Sequence, residues 1–196
     1  MPAYTFYSIA RPHLNKWYTM KKNDGTELSL YIPTSRHQRD KDLLRLHTGK
    51  EVKGEILALA ELPPNSVGTY RLVPGKSFEA APTVAMSSDY RWGMMVPAGP
   101  GGAMVWKTFV WQKNRDRFAP TGKKGLDLVD VEKCEGCAML DYDRLLGSLQ
   151  LEVSWGDDFD LMVLMTFMAK YEQDRRNSQR GSSIDPVIFG GAAACM

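Results

Sequence analysis

Cysteine is scarce in this chain of 196 residues, which also has no Asn-x-Ser/Thr glycosylation acceptor and no long apolar run. The three cysteines, Cys134, Cys137 and Cys195, are too few and too clustered for the disulfide framework of a secreted domain. No segment reaches the roughly 20 apolar residues of a membrane-spanning helix, and the N-terminal residues lack the pattern of a secretory signal. We therefore expect a cytoplasmic location, with any membrane contact at the surface of the bilayer.

The common catalytic motifs are missing as well. The sequence has no Gly-x-Ser-x-Gly elbow, no His-Glu-x-x-His zinc motif, no Walker loop and no dinucleotide-binding fingerprint. It also has no helix-turn-helix, zinc-finger or RNA-stacking motif. We expect no enzymatic activity, no cofactor and no nucleic-acid partner.

Metal binding has three weak candidates. Cys134-Glu-Gly-Cys137 has the spacing of half a zinc site or of a redox pair, but no second pair accompanies it and its acidic neighbours disfavour a thiolate. Asp141-Tyr-Asp143 and Asp157–Asp160 are carboxylate clusters that a turn and a helix start explain without a cation. We expect reduced, unliganded cysteines and no metal, with zinc binding and redox chemistry kept as alternatives.

The composition present is that of one folded domain, with 43% hydrophobic, 24% charged and 10% aromatic residues. The formal charge of +2 hides an uneven distribution: residues 1–125 carry a net +9, residues 126–160 a net −8. We expect a single domain over residues 1–180 and a C-terminal tail over 181–196. Whether residues 187–189 of that tail dock on the domain stays open.

Most of the chain has the pattern of antiparallel β-structure, with short aromatic and branched runs separated by turn residues. The clearest feature is a hairpin of 16–22 and 27–33, whose turn at 23–26 contains Asp24-Gly25. In its second arm the apolar residues Leu28, Leu30 and Ile32 alternate with a second set, Glu27, Ser29 and Tyr31. Further strands are predicted at 55–60, 69–73, 90–96, 103–112, 126–131 and 148–155.

One helix is predicted, from Asp157 to about Arg176. Three aspartates lie in the predicted first turn and two arginines at the predicted end, where each sign of charge interacts favourably with the helix dipole. Nine of the eleven residues 159–169 are apolar. A helix without a polar face must be surrounded on every side. We therefore predict a mainly β (α+β) fold, a closed antiparallel β-barrel enclosing a central hydrophobic C-terminal helix, which leaves no room for a lipocalin-type internal ligand.

The chain resembles the tubby C-terminal-like superfamily, and within it the LURP-one-related and fungal tubby-like proteins. Three segments carry the resemblance: residues 106–111, residues 147–153, and residues 160–168 with the trailing Arg175-Arg176. In that fold the terminal helix threads an antiparallel barrel. Relatives include phosphoinositide-binding domains and phospholipid scramblases, although the proline- and cysteine-rich arm of a scramblase is missing here.

A basic stretch late in the positive part of the chain is the candidate binding site. It contains one acid and six cations, and aromatic residues lie between the cations. The cations are Lys107, Lys113, Arg115, Arg117, Lys123 and Lys124. Cations beside aromatics suit anionic phospholipid headgroups, and a solvated hairpin is the simpler alternative. We predict a non-enzymatic binding or adaptor module for such headgroups; the alternative is a protein–protein interaction module that uses the acidic segment 126–160.

Overall fold

The computed structural model describes residues 5–10, 17–32, 43–63, 68–79, 82–98, 102–118, 124–133, 135–142 and 146–180. Within these ranges it contains one helix, α1 (Asp157–Arg180), and twelve strands. The strands are β1 (Thr5–Ala10), β2 (Trp17–Lys22), β3 (Glu27–Tyr31), β4 (Leu43–Thr48), β5 (Ile56–Glu61), β6 (Tyr70–Pro74), β7 (Val84–Met86), β8 (Arg91–Pro97), β9 (Met104–Phe118), β10 (Lys124–Asp130), β11 (Glu135–Tyr142) and β12 (Leu146–Leu151).

The strands form a closed antiparallel barrel in which chain order is also spatial order. Each strand pairs with the one before and the one after it, and β1 pairs with β12 to close the sheet, with Thr5 opposite Leu151. The predicted fold class is confirmed. The predicted tail, 181–196, lies outside the described residues.

The predicted first hairpin is confirmed as β2 and β3, joined by a turn in which Gly25 has a φ of +90°. Glycine suits this position because other residues are strained at positive φ. Leu28, Leu30 and Ile32 are buried, as the alternation predicted. Ser29, predicted on the outer face, is buried as well.

Helix α1 runs along the inside of the barrel. Its first turn carries three aspartates, and the N–H of Asp160 donates to the carbonyl of Gly156 at 3.1 Å. Every residue from Met162 to Lys170 is buried. The all-round apolar sequence therefore reflects a helix that the sheet encloses, and this helix extends four residues beyond the predicted end.

The last strand ends earlier than predicted, at Leu151 instead of residue 155. The N–H groups of Glu152 and Val153 both donate to the carbonyl of Cys137, at 2.9 and 3.3 Å, so the chain bends away from the ladder. The bend brings Trp155 into edge-on contact with Phe159, with ring centroids 4.8 Å apart. Trp155 thus helps to pack the N-terminal end of α1.

Strand β9 is the longest, and its two neighbours cover different lengths of it. Strand β8 pairs with residues 104–110 only, ending at Arg91 opposite Val110. Strand β10 pairs as far as Phe118, which is opposite Lys124. The hairpin of β9 and β10 therefore projects beyond the end of β8.

Candidate functional site

The interior of the barrel is occupied by protein. Aromatic rings pack around the start of α1, with the Trp92 and Phe109 centroids 4.7 Å apart and the Phe109 and Phe159 centroids 5.4 Å apart. Further along, the indole N–H of Trp111 donates to the Thr166 hydroxyl at 3.0 Å. Because the helix and these rings fill the barrel axis, a ligand has to bind at the surface of the barrel.

Lys107, the first residue of the predicted basic cluster, points into the protein. Its side chain is buried, forms an ion pair with the buried Asp130, and lies 5.2 Å from the centroid of the Trp155 ring. Burial opposes ionisation of Asp130, but the Lys107 ammonium and the N–H of Glu132 outweigh it and hold the pKa of this carboxyl below its usual value. Lys107 is therefore not part of an exposed cationic surface, which corrects the prediction for this residue.

The other predicted basic residues lie on the projecting hairpin of β9 and β10. Lys113 is exposed, three residues beyond the last pair between β8 and β9. Arg115 and Arg117 lie further along β9, and Lys124 begins β10. Lys123 lies outside the described residues. We call residues 112–124 the basic hairpin; it carries Lys113, Arg115, Arg117, Lys123 and Lys124 against Asp116.

The basic hairpin extends toward the C-terminal half of α1. Trp111, which precedes it, contacts Thr166 and Phe167 near the middle of the helix. Tyr90, beside the start of β8, donates its hydroxyl to Asp174 at 3.1 Å. The basic hairpin and the charged C-terminal end of α1 therefore lie at the same end of the barrel.

A buried carboxylate organises the charged end of α1. Glu172 has no exposed surface and accepts from Arg175 at 2.7 and 2.8 Å and from Arg176 at 2.9 Å. Lys170 pairs with Asp174 and lies 4.0 Å from the centroid of the Tyr90 ring. The two arginines were predicted only as helix-terminal charges, because the sequence gives no sign that Glu172 is enclosed.

The opposite end of the barrel exposes apolar side chains that were not predicted as a surface. We call them the apolar patch, and they are Met95, Met104, Val105 and Trp106 on β8 and β9. Of the aromatic residues between the predicted cations, Phe109 and Trp111 are buried, whereas Trp106 is 59% exposed. Period-two spacing from Trp106 to the polar Gln112 is the signal that placed it on the outer face.

The cysteine motif is described in part. Cys137 is buried, and burial raises the pKa of its thiol to about 11. A thiol held in this protonated form is a poor nucleophile and a poor metal ligand. Cys134 lies outside the described residues, and within the described ones no group of three metal-binding side chains occurs.

One buried acid near the start of α1 gives a pH-dependent prediction. Asp160 is buried, and its Oδ1 atom has no hydrogen-bond partner among the described residues. Burial raises the pKa of Asp160, and a hydrogen bond from Ser154 only partly opposes this. The charged form is therefore less favourable in the folded than in the unfolded state, so this group lowers stability as the pH rises above its usual value of 3.8.

We expect Asp160→Asn to be at least as stable as the original chain at pH 7, with an advantage that shrinks as the pH falls toward 4. Thermal unfolding followed by circular dichroism at both pH values measures this. Asp158→Asn is the matched control, because Asp158 is exposed in the same helical turn. A variant that is less stable at pH 7 than at pH 4, relative to the original chain, contradicts the assignment.

Comparisons with known proteins name no function for the chain. No family model and no curated protein matches the chain. A crystal structure of a protein from Arabidopsis thaliana is similar, with a TM-score of 0.48 and 10% identity over 90% of this chain and 93% of that chain. No helix in the described ranges is long and apolar enough to cross a bilayer.

Proposed function

We propose that the chain is a non-enzymatic, intracellular, tubby-like binding module whose basic hairpin contacts anionic phospholipid headgroups at a membrane surface. The observation that carries the proposal is the projection of the basic hairpin beyond β8. A hairpin that projects past β8 and carries Lys113, Arg115, Arg117 and Lys124 can approach a flat anionic surface without steric interference from β8.

Charge supports this orientation. Lys113, Arg115, Arg117 and Lys124 lie at the end of the barrel where α1 ends, whereas the exposed acids Asp157 and Asp158 lie at the other end. The helix-terminal cations Lys170, Arg175 and Arg176 pair with Asp174 and Glu172. A dipolar distribution of this kind turns the positive end toward an anionic leaflet. Each basic residue near such a leaflet contributes about 1 kcal/mol.

The resemblance to tubby-like proteins supports the same ligand class, because that superfamily includes phosphoinositide-binding domains. Fold-level likeness is a weak argument for function by itself. The proposal therefore depends on the position of Lys113, Arg115 and Arg117 on the basic hairpin.

Vesicle co-sedimentation tests the proposal. We expect the full chain to pellet with vesicles of phosphatidylcholine containing phosphoinositide or phosphatidylserine, to stay in solution with phosphatidylcholine alone, and to bind less at physiological than at low salt. The triple variant Lys113→Ala, Arg115→Ala, Arg117→Ala is expected to lose roughly 10- to 100-fold in affinity, since three cations contribute up to about 3 kcal/mol. Comparing the two anionic lipids distinguishes a headgroup preference from charge attraction.

The matched control removes three cations elsewhere, with Lys50→Ala, Lys53→Ala and Lys76→Ala. All three lysines are exposed, and the change in net charge is the same. Equal losses of vesicle affinity in the two triple variants would show that only net charge matters. The basic hairpin would then not be the binding site. Absence of binding at low salt, where attraction is strongest, would overturn the proposal.

A further inference from the structure

Three residues of the apolar patch, Met95, Met104 and Trp106, lie on the outer face of β8 and β9, whereas Val105, opposite the buried Val96, alternates to the other face. Met95 lies directly opposite Trp106 in the sheet, and Met104 is two residues from Trp106 on the same strand. Opposed side chains and those two apart share one face of a sheet. Their exposed fractions are 44% for Met95, 53% for Met104 and 59% for Trp106. Clusters of large exposed apolar groups mark interaction sites more often than isolated ones do.

The indole of Trp106 is held in place by a close contact. A Cβ atom added at Gly93 would lie 2.6 Å from Cζ2 and 2.9 Å from Cε2 of Trp106. The ring therefore lies against the main chain at Gly93, a position that only glycine permits. Its contact face is thus largely ordered before any partner arrives, which reduces the entropy lost on binding.

A pocket continues the apolar patch toward the start of α1. It is open, has a volume of about 330 Å³ and shares Met95 and Met104 with the patch. Met94, Trp155 and Phe159 line its apolar part. This volume accommodates one large side chain, and methionines adapt their shape to different occupants.

Two carboxylates give the pocket its charge. Asp157 and Asp158 line it and are exposed, and within the described part of the chain neither has a salt-bridge partner. Both belong to the acidic segment 126–160. Lys107, the cation adjacent to Trp106, is neutralised by Asp130 inside the protein. The surface around the apolar patch is therefore electronegative.

This charge selects among occupants. An anionic leaflet would bring phosphates close to Asp157 and Asp158, which costs free energy, whereas lysine or arginine would be attracted to them. At the apolar patch β8 and β9 pair with each other, whereas the pairing of β8 with β7 is at Trp92 and that of β9 with β10 begins at Phe109. The large apolar side chains of the patch and its pocket favour an occupant that binds through its own side chains.

We propose that the apolar patch and its pocket bind a segment of a partner protein that presents a large apolar side chain next to lysine or arginine. The apolar side chain enters the pocket against Met95 and Met104 and packs on Trp106. The basic side chain pairs with Asp158 at the pocket rim. This surface lies at the opposite end of the barrel from the basic hairpin and does not depend on lipid binding.

Selection from a random library of 12-residue peptides displayed on phage, with the immobilised full chain as the target, tests the proposal. The enriched peptides are expected to combine leucine, methionine or an aromatic residue with adjacent lysine or arginine. Isothermal titration with the synthesised consensus peptide then measures affinity. We expect at least a tenfold loss for Trp106→Ala and for Met104→Ser, and a three- to tenfold loss for Asp158→Asn that disappears at high salt.

The control variant is Lys113→Ala, which alters the other end of the barrel and is expected to bind the peptide unchanged. Thermal unfolding of each variant shows that it is folded. Enriched peptides without basic residues, or peptides whose affinity Trp106→Ala leaves unchanged, would overturn the proposal. A concentration-dependent dimer that Trp106→Ala dissociates, or binding to uncharged vesicles that Trp106→Ala abolishes, would assign the patch to a second copy or to lipid instead.

Discussion

Replacing Leu164 by aspartate is expected to prevent the protein from folding. Leu164 lies in the middle of α1 with no exposed surface, and the barrel surrounds this part of the helix on every side. The substitution removes a buried leucine, at about 2–5 kcal/mol, and encloses an unpaired carboxylate, at several kcal/mol more. The sum is about as large as the total stability of a typical domain, roughly 5–15 kcal/mol.

Far-ultraviolet circular dichroism and urea denaturation measure the outcome. Leu164→Met keeps the volume and the apolar character, and we expect it to cost less than about 1.5 kcal/mol. Gln112→Asp introduces the same carboxylate at an exposed position of β9 and is expected to leave stability nearly unchanged. A folded, cooperative Leu164→Asp protein would show that the helix is not enclosed.

The barrel could be predicted from the sequence because two patterns, one in a strand and one in the helix, require the same architecture. Alternation in β3 placed Leu28 and Leu30 inside, and the absence of any polar face over residues 159–169 required that the helix be surrounded. Neither pattern alone gives the architecture. Together they leave a closed sheet as the structure that satisfies both.

Four strands were missed, for local reasons. Strand β7 has only three residues, too few to show alternation. Strand β11 contains Gly136, Cys137 and Asp141, which are poor indicators of β-structure. Strands β1 and β4 adjoin charged or polar sequence that conceals their apolar alternation. Their positions follow from closure of the barrel, which supplies the pairing that local propensity does not.

The candidate site was predicted less well, because a count of charges ignores the two faces of a strand. Lys107 has the same parity as Phe109 and Trp111, which are buried, so alternation already placed it inside. Its partner, Asp130, is 23 residues away in the sequence. The pairing can be recognised only from the strand register, in which Asp130 lies opposite Phe109. The exposed Trp106 follows from the same alternation.

The buried pair of Lys107 and Asp130 gives the second large prediction. Lys107→Met keeps most of the apolar stem but leaves the Asp130 carboxylate buried without its cation, and Asp130→Asn leaves a buried ammonium. Each single substitution is expected to cost about 3–5 kcal/mol. The double variant buries no uncompensated charge. We therefore expect its destabilisation to be about 1–3 kcal/mol smaller than the sum of the two single destabilisations.

The effect of the pair depends on pH with a definite sign. Because the pKa of Asp130 is lowered by folding, its contribution is present above the usual pKa of about 3.8 and is lost as the pH falls through the lower, folded-state pKa. Urea denaturation of the four proteins at pH 7 and again in acid measures both the coupling and its loss. If the costs are additive to within about 0.5 kcal/mol at pH 7, the two residues do not act as a pair, and the inward position of Lys107 then reflects only the packing of its stem against Trp155.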